Sequence, residues 1–453
     1  TVGKEKVYVT RINDKKLGRM RSQLKGKASW SLPANMHLDV KANHLSDNDY
    51  LADFSHDVKN ATKRYVSSIG TLSWAGEYGG WQLFAQHQRD LLRQSNDATL
   101  QILPRFQSNL AVPVLDRFAT VHFDQQTTRF DRRRGVNGWR TYLHPYLEVP
   151  FSLAAGGVSG TLHAGGEQTR YWLKDYALSR KPVRNSGEFS AEVHSVFERV
   201  SDTHLLRHTI EPTLRYDIIN VSDQSQLPNF DSAFGRLSMS NLLTGNRYSG
   251  HDIVQSTNRV SFLLGSRLQS KEDAKASAET LLLAHVGLSY DLRRRNSVTG
   301  QPLNTPPFSN IVGDLSVNPL PGLSFSADGQ YDSSRRFFDT AHAGVNWTSD
   351  LGHELHIAYL YTDARYSTRA QLVRSSAKAR VADYWHILGT WYYDINRKRS
   401  AQFSWGFNYE HPCWSLKVEA YKIVRPTGTS SVPDTGVRFL IGFEGVGSVG
   451  AHG

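Results

Sequence analysis

The stretch Ser400–Lys422, SAQFSWGFNYEHPCWSLKVEAYK, decides the fold. Phe403, Trp405, Phe407 and Tyr409 occupy every second position, with Gln402, Ser404, Gly406 and Asn408 between them. After the Glu410-His411-Pro412 break the alternation resumes as Trp414, Leu416, Val418 and Ala420 against Ser415, Lys417 and Glu419. Successive strand side chains point to opposite faces, so a period of two writes one apolar and one polar face on each arm of a hairpin.

The pattern continues outward to both ends of the chain. Leu24, Gly26, Ala28, Trp30 and Leu32 alternate with Lys25, Lys27, Ser29 and Ser31 before a turn at Pro33-Ala34-Asn35. Met36, Leu38, Val40 and Ala42 then alternate with His37, Asp39, Lys41 and Asn43. Leu147, Val149, Phe151 and Leu153 lead through Gly156-Gly157 to Val158, Gly160, Leu162 and Ala164. Ile311, Gly313, Leu315 and Val317 reach Asn318–Gly322, and Leu323, Phe325, Ala327, Gly329 and Tyr331 follow. Such segments predict antiparallel hairpins throughout. Longer polar connections, such as Lys271–Glu279 and Arg293–Pro307, are expected to alternate with the short turns, as the two ends of an outer-membrane barrel require. At roughly twenty residues per strand and connection, the length implies on the order of 20 strands. No convincing amphipathic helix or domain linker interrupts the series.

Only 39% of the 453 residues are hydrophobic, yet 11% are aromatic, which is thin for a packed core of this size. No run approaches the ~20 apolar residues of a membrane-spanning helix. That leaves a barrel open, because alternating strands escape a hydropathy window. In lipid every backbone N–H and C=O needs a protein partner, so a spanning sheet must close on itself. Apolar side chains then face acyl chains and polar ones a hydrated lumen. A soluble propeller or sandwich would instead need apolar packed interiors and blade-length repeats, and neither is legible. The expectation is an all-β fold, a large antiparallel transmembrane β-barrel of on the order of 20 or more strands, with residues 1–453 as one barrel domain.

The net charge of +11 sits in short clusters, Arg132–Arg134, Arg293–Arg295, Arg335–Arg336 and Arg397–Arg399. Placed in loops or at strand ends, these are solvated loop charges or an attraction to an anionic surface such as lipid phosphates. No nucleic-acid module is legible. The N-terminal TVGKEKVYV shows no signal peptide. Cys413 is the one cysteine, and the 18 histidines show no H-E-x-x-H and no pair at metal spacing, so no metal or cofactor is expected. Gly445–Gly450 matches G-x-G-x-x-G without a following helix and reads as a Gly-rich tail. Ser375–Lys378 has S-x-x-K spacing with no K-T-G anywhere, and is expected in a basic loop. A hydrolytic Ser/His or Asp/His site assembled from separate strands stays open at this level.

An ordered set of motifs carries a resemblance. Glu211-Pro212-Thr213-Leu214-Arg215-Tyr216 is followed by Asp223-Gln224-Ser225 and Pro228-Asn229-Phe230-Asp231. Asn246-Arg247-Tyr248-Ser249-Gly250-His251-Asp252 comes next, with Asn258-Arg259-Val260 behind it. Together they resemble the family of LPS-assembly outer-membrane proteins LptD, also called organic solvent tolerance proteins. Ser46-Asp47-Asn48-Asp49-Tyr50-Leu51-Ala52-Asp53-Phe54 is similar to that family's S-D-x-x-Y-x-x-D-F. Trp391–Asp394 and the Cys413-Trp414 hairpin resemble its C-terminal strands.

The resemblance implies a barrel of about 26 strands behind a periplasmic β-jellyroll. It implies an LptE-like plug lipoprotein in the lumen and an LptA-like periplasmic bridge that delivers lipopolysaccharide. Sugars would cross the lumen while acyl chains enter outer-membrane lipid, and both would leave through a lateral gate between first and last strands. The location implied is the cell outer membrane of a Gram-negative bacterium, and no covalent chemistry, hence no enzyme, is implied. Residues 1–453 would then be an incomplete portion of that barrel, without the jellyroll and the first strands. The family's gate prolines have no counterpart here. Ile253 stands where the family carries Arg, so any ion pair of that Arg is lost or replaced. Pro412 takes the first of two cysteine positions and Cys413 the second, which implies a disulfide from Cys413 to a cysteine upstream of this chain. The last strand candidate, Val437, Phe439, Ile441 and Phe443, carries Gly436 and Gly442, which weaken a strand interior, and is the expected gate lip. The polar set Gln402, Ser404, Asn408, Asp314, Ser316, Ser324, Asp328 and Gln330 would face the lumen. A general porin or a barrel hydrolase would use the same strands; copurification with a plug lipoprotein separates them from the translocon.

Overall fold

The computed structural model describes residues 6–14, 18–54, 63–116, 118–201, 205–271, 273, 277–293, 306–363, 370–427, 430–443 and 447–452. β1 (Lys6–Asp14), β2 (Arg19–Leu32) and β3 (Met36–Leu45) precede a five-residue helix, α1 (Tyr50–Phe54). β4 (Tyr65–Ala75), β5 (Gly79–Asp90), β6 (Gln101–Val114) and β7 (Ala119–Asp131) follow, then β8 (Asn137–Leu153) and β9 (Val158–Lys174). β10 (Val183–Ser195), β11 (Phe197–Val200), β12 (Leu206–Val221), β13 (Thr257–Ser270) and β14 (Glu279–Asp291) make the middle. β15 (Ile311–Leu320), β16 (Leu323–Asp332), β17 (Phe337–Thr348), β18 (Glu354–Thr362) and β19 (Ala370–Ala382) come next. β20 (Trp385–Asp394), β21 (Arg399–His411), β22 (Trp414–Thr427), β23 (Ser430–Phe443) and β24 (Gly447–His452) end the chain.

All 24 segments belong to one sheet, and every ladder is antiparallel and joins chain neighbours, except that β12 pairs with β10 as well as β11. β10 and β11 share the partner β12, with His194 opposite Thr213 and Phe197 opposite Ile210, so they are one strand interrupted at Val196. Among the described residues no ladder joins β1 to β24. Strand direction reverses at each step, so an antiparallel ring needs an even number of positions. The 24 segments less the one shared position leave 23, and β1 and β24 therefore point the same way.

Burial runs opposite to that of a soluble sheet. On β21, Phe403 and Trp405 are 47% and 60% exposed, while Gln402 and Ser404 are 6% and 1% exposed. On β13, Phe262 is exposed beside a fully buried Ser261. The oily stripes therefore line the outer face and the polar ones the inner face, as lipid on one side and water on the other demand. Among the described residues no helix is long and apolar enough to cross a membrane. β8 and β9, at 17 residues each, exceed the ~10 residues a tilted strand needs to cross lipid. Among the described residues, buried apolar clusters occur where connecting segments fold onto the inner face. Leu45, Tyr50, Leu51 and Val66 gather around α1, and Leu237, Leu242 and Val312 gather under the segment between β12 and β13.

Several expectations need correction. β13 and β14 are joined, through the Lys271–Glu279 connection, at the same end as the short turns 33–35, 154–157 and 412–413, whereas β14 and β15 are joined at the opposite end with 222–256. Ser375–Lys378 is inside β19, not in a loop: Ser375 pairs with Ile357 and Trp391, so its neighbours are ladder partners. Gly447–Gly450 is not a tail but part of β24, which pairs with β23 from Phe443 back to Arg438. Val437–Phe443 is consequently the penultimate strand, because glycine permits a further extended segment beside it. Arg294, Arg295 and Gly445 lie outside the described residues.

Candidate functional site

The inner face of β7–β10 carries a row of charged and aromatic side chains that period-two alternation aims inward. Arg140 on β8, Arg184 on β10 and Tyr171 on β9 are all at most 1% exposed, as is Thr128 on β7. A buried guanidinium needs carboxylates and carbonyls around it. Residues 222–256 supply them by folding back from the β12–β13 end onto this face.

The centre of the site is Arg140. Its guanidinium donates to both Asp231 oxygens at 2.6 and 2.8 Å, to Asp252 Oδ1 at 2.8 Å and to Gln126 Oε1 at 3.0 Å. Asp252 is fully buried and accepts further bonds from Tyr171 Oη at 2.8 Å and from the Phe230 and Asp231 amides at 2.7 and 2.8 Å. Every partner of this carboxylate donates, which suits its ionised form. Arg105 approaches Asp231 at 3.3 Å, and Arg184 donates to the His251 carbonyl at 3.0 Å. These charge-assisted, forked contacts hold the segment at a fixed position on three strands.

Local turn chemistry shapes the segment for that contact. Gly250 has φ +66°, and a Cβ there would stand 2.3 Å from Asp231 Oδ1, so only glycine lets the chain close on the carboxylate. Asn229 and Ser232 exchange two bonds at 2.9 Å, and Ser232 Oγ accepts from the Asp252 and Ile253 amides. Gln224 grips Val254 through both its amide donor and acceptor at 2.9 Å. Asn246 Oδ1 accepts from the Tyr248 and Gln255 amides, and the Arg247 guanidinium lies 4.4 Å over the Phe234 ring. Phe230 stacks on Phe130 at 4.2 Å and His251 on Tyr142 at 3.8 Å.

The electrostatics follow from burial and from Arg140. Burial works to raise the Asp231 carboxyl, but the Arg140 guanidinium outweighs it and holds the group down at about 2. Burial pushes Asp252 above the ordinary carboxylate value, with the Arg140 charge pulling the other way. His251 is pushed down to about 3, by burial first and by the Arg140 charge second, so it is neutral in the docked segment.

The structure thus brings together Asp231, Gly250 and Asp252, with Gln224, Asn246, Arg247 and Tyr248 as internal braces and Pro228 buried. Asp223 does a smaller job, capping Ser225 at 3.0 and 2.7 Å, and that hydroxyl lowers its carboxyl. Glu211 and Pro212 lie elsewhere: they sit within β12, Glu211 accepting from Thr209 Oγ1 at 2.7 Å and Pro212 pairing with Leu264. The Ile253 departure leaves the carboxylates partnered, since Arg140 arrives from β8. Arg105, Arg140, Tyr171 and Arg184 were not singled out from the sequence. The legible signal was an arginine on the polar face of a strand, which says nothing of its partner. A cavity of about 490 Å³ opens between this segment and the rim of β15–β17, with Arg236, Arg247, Phe308, Asp332 and Arg335 on its walls.

A second segment, residues 46–54, docks in the same manner. Arg21 on β2 is 1% exposed and donates to Asp47 Oδ2 at 2.8 Å and Asp53 Oδ2 at 2.6 Å, with its guanidinium 4.8 Å over the Phe54 ring. Burial opposes ionisation of Asp47, but Arg21 and Ser46 lower its carboxyl below the usual value.

At the C-terminal end, Val437, Phe439 and Ile441 of β23 are 40%, 47% and 39% exposed on the outer face; the Phe443 side chain lies outside the described residues. β22 and β23 share 14 registered pairs, from Trp414–Phe443 to Thr427–Ser430, but β23 and β24 share only 6. Cys413 is a free, exposed thiol in the β21–β22 turn, at the end of the short connections.

The family profile described as LptD, LPS transport system D, matches residues 19–385. A protein from Nitrosospira multiformis named LPS-assembly protein LptD is 28% identical over 403 residues, covering 85% of this chain and 42% of that relative. Proteins of the same name from Nitrosococcus oceani and Chromobacterium violaceum are 25% and 26% identical, covering 91% and 99% of this chain and 56% and 58% of their own lengths. The chain thus spans about half the length of the curated relatives it matches. Among solved structures, the siderophore receptor PirA from Acinetobacter baumannii overlaps 92% of this chain and 73% of its own at 8% identity and a TM-score of 0.39, a superposition too loose to carry an argument.

Proposed function

The chain belongs to the LPS transport system D family, and from that premise we propose that it is the barrel portion of a Gram-negative outer-membrane translocon that inserts lipopolysaccharide into the outer leaflet. The observation that carries the proposal is the family match across residues 19–385. An outer face of exposed Phe, Trp and Leu beside an inner face of buried Ser, Gln and Arg supports it physically.

Lipopolysaccharide has phosphorylated sugars at one end and acyl chains at the other. Exposed inner-face side chains such as Asp328 and Asn346 can exchange hydrogen bonds with sugars or with an LptE-like plug lipoprotein. Acyl chains need no passage through water if they stay in lipid. Both parts must then leave through a seam that opens at modest cost. The C-terminal strand β23, with Val437, Phe439, Ile441 and Phe443 and with glycines at 436 and 442 that weaken a strand interior, is one lip of that lateral gate, with β24 beside it. An antiparallel cylinder needs an even number of strands, so the 23 positions here are completed by an odd number of further strands, with a jellyroll docking an LptA-like bridge beyond them. Cys413, exposed at the short-turn end, pairs in that larger protein with a cysteine of the jellyroll. Positioning and lateral release need no covalent step, so the protein acts as a transporter and not as an enzyme.

Photo-crosslinking in living cells tests the gate. A crosslinker at Phe439 is expected to capture lipopolysaccharide, whereas one at the equally outward Val121 on β7 is not. Equal capture at both positions overturns the gate assignment. The translocon itself fails if depletion of the full-length protein leaves surface lipopolysaccharide unchanged, or if the purified protein lacks a lipoprotein partner and conducts small solutes freely.

A further inference from the structure

On the inner face of β8–β10, beside the docked segment, three side chains meet that the transport proposal does not use. His144 Nε2 and His163 Nε2 each lie 2.6 Å from the same Oε1 of Glu188. One ligand atom from each residue falls within 4.8 Å of the other two. Register explains the meeting. Glu188 on β10 stands opposite Gly165 on β9, and Gly165 stands opposite Tyr146 on β8. No side chain fits at Gly165, where a Cβ would stand 2.5 Å from the Tyr146 Cβ, and Glu188 reaches past this bare position to His144. His163 enters from β9 itself, two residues away. The side chains are 13%, 22% and 17% exposed for His144, His163 and Glu188, and the Tyr146 ring packs 4.7 Å from each imidazole.

We infer that His144, His163 and Glu188 form a divalent-cation site of the zinc class in the barrel wall. Two imidazole nitrogens and one carboxylate oxygen are the protein ligands of an open tetrahedral zinc centre, whose fourth position takes water or an anionic oxygen. Imidazole ligands select zinc, copper or nickel over magnesium and calcium, which take oxygen ligands. Zinc bonds of ~2.0–2.1 Å at tetrahedral angles place neighbouring ligand atoms about 3.3 Å apart. The two 2.6 Å contacts bracket that spacing from below and the 4.8 Å limit from above, so side-chain rotation alone admits the ion. Without an ion, each ring presents an Nε2 proton to Glu188. On binding, the proton resides on Nδ1 instead; Asp124 Oδ2 lies 3.9 Å from His144 Nδ1, too far for a hydrogen bond, and its negative charge favours that tautomer. The fourth position opens on the polar inner face, where a phosphate oxygen is an apt ligand. The sequence showed no histidine pair at metal spacing because the two rings are 19 residues apart on adjacent strands and the third ligand comes from another.

The test uses the full-length protein that contains this chain, folded in detergent micelles, stripped with chelator and titrated with Zn²⁺ or Co²⁺. One equivalent of zinc is expected to remain after gel filtration. Glu188→Gln and His163→Ala should each weaken binding at least tenfold, and His342→Ala, which removes a His–Asp pair elsewhere on the inner face, should leave it unchanged. Co²⁺ should give the visible absorption of a tetrahedral nitrogen/oxygen centre in the unmodified protein alone. Heat-modifiable gel mobility establishes that each variant is folded. If a variant does not fold, the unmodified protein's cobalt spectrum still decides. Equal zinc retention by Glu188→Gln and the unmodified protein, or no tetrahedral cobalt spectrum, means an adventitious ion only and overturns the assignment.

Discussion

The inner faces of β7–β10 and of β16–β18 are built from the same alternating hairpins, yet they differ in what covers them. In the first region Arg140 and Asp252 are both 0% exposed, sealed by residues 222–256. In the second, away from the buried rim at Gln330, Asp332, Asp339 and Thr340, His342 and Asp328 pair at 3.0 Å with 42% and 59% exposure, and His356 beside Glu354 is 48% exposed. A covered inner face turns polar contacts into buried, many-partnered ones. An open face leaves equivalent pairs screened by water. One part of the inner wall is therefore a fixed structural element, and the other is open to solvent.

The largest expected effect comes from breaking the covered side. Arg140→Ala strips the buried Asp252 of its cationic partner and leaves the part-exposed Asp231 with Arg105 alone, which costs about 3–5 kcal/mol. Amide exchange across residues 222–256 should accelerate by two to three orders of magnitude, and conductance in planar bilayers should rise. Arg140→Lys should not restore protection, since a point charge cannot fork between Asp231 and Asp252. If both variants exchange like the unmodified protein, the contrast between the two faces is wrong.

Gly250→Ala is next. It combines a left-handed backbone position with a Cβ 2.3 Å from Asp231 Oδ1, so the segment should lose about 2 kcal/mol, measured by the same exchange experiment.

Acid should have a smaller effect. The docked His251 is held neutral near 3, against 6.5 when free, so below pH 6.5 the undocked segment binds more protons than the docked one. Docking is therefore fully present above pH 6.5 and weakens as pH falls toward 3, by about 1 kcal/mol over the first unit. Asp252, raised by burial, acts in the opposite sense at its own titration. His251→Gln isolates the histidine and should flatten the exchange–pH profile between pH 6.5 and 5. The smallest change belongs to the open face: His342→Ala should alter thermal stability by under ~0.5 kcal/mol.

Alternation determined the strands, their in-out faces and most turns, because side-chain direction in a strand depends only on local position. The turns at 33–35 and 154–157 stand where the residues indicated, while Glu410 and His411, read as part of a break, extend β21 and leave the third turn at 412–413. Errors came where locality gives no information. The S-x-x-K segment looked like a loop because its polar face is lumenal, and β24 was missed because a six-residue glycine-rich strand has too few apolar positions to alternate. The motif residues Asp231 and Asp252 were legible as a set, but not as ligands of Arg140. The Arg140–Asp252 bond spans 112 residues of sequence and is decided by strand register and by the fold-back of one connection. Which inner wall is sealed and which is open, and where two histidines and a glutamate meet across Gly165, were likewise settled only by tertiary structure. Those contacts depend on distances between strands, and a period of two carries no record of them.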